Sequence, residues 1–177
     1  MNQYSWDQQF SELFDRCCAA FRSGNTDFRT YYTDGDLAFL SAIGYRQREF
    51  FDFVEDHCEF DGDPSPGAAL LVAAVRRDFF RHIMGGEFSE KTLMPGDLPD
   101  READLGGYAW LPRILAKARA KLRGELDPDI MYGCGGDRHF LSTCDLHPAD
   151  FLRAVWAAGD DDDKVLAWVQ ANGKAQG

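Results

Sequence analysis

Leu105 to Glu125 reads LGGYAWLPRILAKARAKLRGE, and this stretch decides the fold class. Pro112 fixes φ and lacks an N–H that a first helical turn leaves unpaired anyway, so Trp110 to Pro112 starts a helix and Gly124 ends it. At about 100° per residue, Leu111, Ile114, Leu115, Ala118 and Leu122 fall on one face, as in a helix lying on a core. Arg113, Lys117 and Lys121 run down one flank, and Arg119 and Arg123 line the other. The ordinary reading of these five cations is a solvated face whose alkyl stems cover the edges of the core. The sharper one is a site for an anion or an acidic partner.

Beyond Gly124, reactive side chains gather between Tyr132 and His147. Cys134, with glycines on both sides, Asp137 and His139 suggest nucleophilic chemistry: Cys134 as the thiol, His139 as the base and Asp137 or Asp145 orienting it. A helix beginning near Gly136 would put its positive end at Cys134. A second arrangement uses Tyr108, Arg113, Lys117 and Arg138 with the Gly135-Gly136 backbone to hold a phosphate or carboxylate. Cys134, His139, Cys144 and His147 have ligand types for zinc, but Met131 stands where a knuckle needs its first cysteine, so no metal is assigned. The glycine pair lacks the Lys-Ser or Lys-Thr of a P-loop, and no dinucleotide fingerprint occurs, so no cofactor is expected.

Working outward, the rest of the chain reads as helices and connectors. Ser5 is placed to cap a helix over 6–21, closed by Ser23-Gly24-Asn25; shorter helices follow over 36–42 and 46–58. In the latter, Phe50, Phe51, Phe53 and Val54 face the core, and Glu49, Asp52, Glu55 and Asp56 are expected in solvent. Ser65-Pro66 and Gly85-Gly86 bracket a helix that is apolar all round from Ala68 to Val75 and is expected to emerge at Arg76. Residues 86–107 have no apolar period and read as a connector. Pro148 and Asp160 to Asp163 start two more helices, the carboxylates capping the second. No strand pattern is expected anywhere.

With 45% hydrophobic residues, 14 Phe and 4 Trp among 177, the chain can bury a sizeable core. A net charge of −11 argues against non-specific binding to nucleic acid or to an anionic membrane. MNQYSWDQQF has neither a basic start nor an apolar run, and five cysteines fit reduced thiols, which together predict a cytoplasmic protein.

Several spaced motifs resemble a bacterial family known only as a domain of unknown function. They are Leu105-Gly106-Gly107-Tyr108, Leu111-Pro112-Arg113, Lys117 to Leu122, Met131-Tyr132-Gly133-Cys134, Asp137-Arg138, Phe151-Leu152 and Val165 to Trp168. The resemblance spans roughly 95–170, and the segment with Leu37 to Leu40, Ile43-Gly44 and Asp52 to Asp56 is similar to the leading half of longer members. It implies no activity.

The expectation is an all-α protein of seven to eight helices, in one bundle-like domain or two packed lobes: 1–86, a connector over 87–107, and 108–177. Two functions are carried forward. The leading one is a non-enzymatic module binding a small anionic ligand or a protein partner through Tyr108, Arg113, Lys117 and Arg138. The alternative is a small-molecule enzyme using Cys134, Asp137 and His139.

Overall fold

The computed structural model describes residues 3–175 and divides the chain into two units, Met1–Glu87 and Phe88–Gly177. Among the described residues there are eight α-helices and a single two-stranded sheet, so the fold is predominantly helical.

The N-terminal unit contains α1 (Trp6–Arg22), α2 (Asp34–Ala42), α3 (Gln47–Glu59) and α4 (Pro66–His82). α1 buries Phe10, Leu13, Phe14, Cys17 and Cys18. Ser5 makes no capping hydrogen bond and instead closes a 3-10 turn. α2 starts earlier than Asp36, because Thr33 and Asp36 form a reciprocal capping box at its N-terminus. α3 buries the four predicted apolar residues, but Glu49 and Asp52 are buried with them, which corrects the solvated acidic face. Glu49 accepts the Arg46 N–H at 3.3 Å and Asp52 pairs with Arg48 at 3.1 Å, so each carboxylate finds a partner as water is removed.

α4 begins as its sequence dictates, with Ser65 Oγ accepting the Ala68 N–H at 3.1 Å. It lies on the core by one face and is not enclosed all round: Leu71 is 44% exposed. Arg76 does not mark its emergence either, being fully buried with its guanidinium 5.3 Å from the Phe80 ring. Gly44, at φ 79°, lets the chain pass where a Cβ would sit 2.5 Å from the same ring.

The C-terminal unit holds α5 (Leu111–Arg123), α6 (Gly135–Thr143), α7 (Pro148–Ala158) and α8 (Asp162–Asn172), with α5 packed on α7 and α7 on α8. The segment before α5 is not featureless. It contains a 3-10 turn at Pro95–Asp97 and a hairpin of β1 (Asp104–Leu105) and β2 (Tyr108–Ala109), registered Asp104↔Ala109 and Leu105↔Tyr108. Gly106 and Gly107, both at positive φ, make its two-residue loop, so the expectation of no strands fails here.

α5 buries the five apolar residues of its predicted stripe, and Lys117 and Lys121 with them. The expected wholly solvated cationic face is therefore corrected. On the other flank, Arg119 donates to the Gly159 carbonyl and pairs with Asp162 at 2.6 Å, and Arg123 pairs with Asp160 at 3.1 Å. The carboxylates before α8 thus serve two ends: Asp161 caps the helix through the Lys164 N–H, while its neighbours hold the basic flank of α5. No described helix is long and apolar enough to cross a membrane.

Candidate functional site

Residues from α5, the 131–134 loop and α6 meet at one buried carboxylate. Asp137 lies in the first turn of α6 and is fully buried. Its Oδ1 accepts from Trp110 Nε1 at 2.8 Å and lies 2.6 Å from Lys117 Nζ, and its Oδ2 accepts the Gly133 N–H at 2.9 Å. Three donors and the positive end of α6 offset the cost of taking a carboxylate out of water. The Tyr132 hydroxyl, also buried, donates to the Pro148 carbonyl at 2.7 Å, and burial, with Asp137 nearby, pushes its phenol well above the usual value.

Lys117 sits two turns into α5 and is 3% exposed. Besides Asp137, its ammonium donates to Cys134 Sγ at 3.2 Å and to the Met131 carbonyl at 3.4 Å, so all three hydrogens are directed at protein atoms. Cys134 is the N-cap residue of α6 and is partly exposed. Its sulfur thus lies beside a fixed positive charge at a helix N-terminus, on the water side of a buried ion pair.

Trp110 completes the arrangement. It precedes α5 at φ 73°, a left-handed conformation rare for a bulky side chain. In that conformation its ring comes within 5.6 Å of the Lys117 ammonium and 5.5 Å of the Arg113 guanidinium while its N–H reaches Asp137. The ring also lies on Gly136, where a Cβ would meet Cζ2 at 2.3 Å.

The structure therefore brings together Lys117, Cys134 and Asp137. It does not bring His139 to them: His139 is exposed, two residues from buried Asp137 on the same helix, and side chains at that spacing point apart. Tyr108 is buried in the hairpin. Arg113 donates to the Pro99 carbonyl and Arg138 to the Gly133 carbonyl at 2.8 Å, so both fasten loops. Arg113 also lines an open depression of about 720 Å3 with Asp100, Arg101, Glu102 and Ala103. Asp145 pairs with Lys174 at 2.7 Å, His147 caps α7 by accepting the Ala149 N–H, and Cys144 is buried. Among the described residues no group of three or more His, Cys, Asp or Glu is arranged to hold a metal ion.

Trp110 and the Gly133 amide were missed as parts of this site. The signal for Trp110 was its place at the junction of a glycine hairpin and a proline-started helix, where backbone conformation is unusual and an indole N–H needs an acceptor.

This geometry lies inside the region that matches a known family. Residues 99–177 match the model of a family described as Domain of unknown function (DUF5069), and the match does not extend into the N-terminal unit. No curated protein and no solved structure matches the chain.

Proposed function

We propose that the C-terminal unit is a thiol centre, in which Cys134 attacks a small electrophile and Lys117 supplies the positive charge that stabilises the transition state. The support is the 3.2 Å separation of Lys117 Nζ and Cys134 Sγ, with the ammonium fixed from behind by buried Asp137. A charge already in place costs no reorganisation when negative charge develops beside it. Asp137 and Trp110 are positioning residues: they aim the ammonium and do not touch the reacting atoms. His139 has no part in this reading. Reduced thiols persist in the cytoplasm, where we place the protein.

The experiment is peptide-resolved alkylation by iodoacetamide at neutral pH, comparing Cys134 with a short unstructured cysteine peptide. The proposal expects Cys134 to react faster despite its partial burial. A rate equal to or below that of the peptide overturns it.

A second reading, binding of a small carboxylate or phosphate, is favoured by one observation: Arg113 opens onto the depression that Arg101 also lines. It predicts a phosphate-dependent rise in melting temperature that is absent in Arg113→Ala. No rise in the parent protein rejects it.

A further inference from the structure

α7 and α8 run antiparallel. A turn at 159–161 joins them, and just past the end of α8 the Lys174 N–H donates at 2.8 Å to the carbonyl of Cys144, which lies shortly before α7. Along α8, Lys164, Trp168 and Asn172 recur every four residues and so share one face. Along α7, Ala154, Ala157 and Ala158 fall together at helical spacing, with Arg153 beside them. Both rows line one groove of about 690 Å3. The space exists because the α7 wall offers only methyl groups opposite a tryptophan.

Two features of this groove point to one kind of occupant. Trp168 is half-buried and is braced edge to face by buried Phe151, with ring centroids 6.4 Å apart, so it presents a planar surface held in place. Arg153 and Lys164 supply the charge. Arg153 meets Asp150 through Nη1 at 2.7 Å, and Lys164 Nζ meets Asp161 at 3.1 Å. These exposed pairs hold their cations only weakly, and each leaves further guanidinium or ammonium hydrogens for a guest. The other end of the groove, at Asn172, is lined by Asp145, so a ligand's carboxylate is drawn toward Lys164. From Lys164 to Asn172 the α8 wall rises about 12 Å, and small-molecule sites typically hold roughly 300–1,000 Å3, so a one- or two-ring body with a short acid arm fits.

We propose that the α7–α8 groove binds a planar aromatic monocarboxylate, its ring laid on Trp168 against the alanine wall and its carboxylate held by Arg153 and Lys164. Both parts of the ligand are needed. Exposed cations alone hold a small anion poorly, and a ring without the acid gains only the apolar contact. The groove shares no residue with the thiol centre at Cys134 or with the depression at Arg113, and the proposal stands without either.

The test titrates indole-3-acetate into the full chain and follows saturation-transfer NMR of the ligand. The proposal expects saturable binding with a Kd below about 1 mM, with the ring protons receiving most of the transfer. Acetate, and indole-3-ethanol, which lacks the charge, should each bind roughly tenfold more weakly or not at all. Arg153→Gln should weaken binding roughly fivefold. Ala157 is exposed, so Ala157→Leu should keep the melting temperature while filling the groove and weakening binding at least about tenfold. Arg113→Ala should change nothing. No saturable binding overturns the proposal, as does acetate or indole-3-ethanol binding as well as indole-3-acetate, or parent-like affinity in folded Ala157→Leu.

Discussion

Asp137 Oδ1 lies 2.6 Å from Lys117 Nζ, and both side chains are out of solvent, at 0% and 3% exposure. A pair in such surroundings is held less by its own attraction than by what each charge would cost alone. Lys117→Met should therefore destabilise the C-terminal unit by about 3–5 kcal/mol, since it strands a buried carboxylate. The double variant Lys117→Met/Asp137→Asn removes both charges and keeps an oxygen for the Trp110 N–H, so it should recover most of that loss. Urea denaturation of the single and double variants measures the coupling, and simple additivity would mean that the two groups do not depend on each other.

Gly136 separates two effects of opposite sign. In a helix, Gly→Ala ordinarily adds up to about 1 kcal/mol of stability. At Gly136 the new methyl would enter the Trp110 ring, and overpacking of that kind costs about 1–3 kcal/mol. Gly136→Ala should accordingly lose stability and shift the Trp110 fluorescence. Its neighbour Gly135 has open space where a Cβ would go, so Gly135→Ala should be neutral or slightly stabilising. Equal effects at the two positions would contradict the account of how Trp110 is held.

What could be read from sequence, and what could not, follows the range of the interactions involved. α4 was legible because Ser65-Pro66 and Gly85-Gly86 are local signals, and the apolar stripe of α5 was legible because helical period needs no partner. The burial of Lys117 was not, because a lysine in a basic stripe reads as solvated until the carboxylate that neutralises it is known. That carboxylate arrives on another helix after a loop containing Asp127-Pro128. Trp110 and Asp137 are likewise brought together only by folding. The hairpin escaped because two-residue strands are too short to show alternation, although Gly106-Gly107 carried its turn chemistry. Cys134 and Asp137 could be named as candidates from residue type alone, whereas the outward placement of His139 depends on the helical register of α6, which residue type does not reveal.

Stability should fall at both ends of the pH range for separate reasons. Hydrogen bonds from Lys174 and Lys164 hold Asp145 and Asp161 below the usual carboxylate value. Their contribution is complete above about pH 3.9, the ordinary aspartate value, and is lost as pH falls below it; both groups are exposed, so the effect is small. At Tyr132 the shift is upward, because burial favours the neutral phenol. That contribution is complete below about pH 10 and is lost as pH rises. Near neutrality Tyr132→Phe should cost about 1 kcal/mol through the hydrogen bond to Pro148. The gap between parent and variant should narrow as pH climbs past about 10. Melting curves across pH check this, and a constant gap would contradict it.

The central claim is that the Lys117 ammonium, fixed by Asp137, acts on the Cys134 sulfur. It is tested most directly by the alkylation rate of Cys134 in Lys117→Met/Asp137→Asn relative to the parent protein, in samples shown by circular dichroism to be folded. The account predicts at least a roughly tenfold slower reaction once the charge is gone. An unchanged rate in the folded double variant would contradict it.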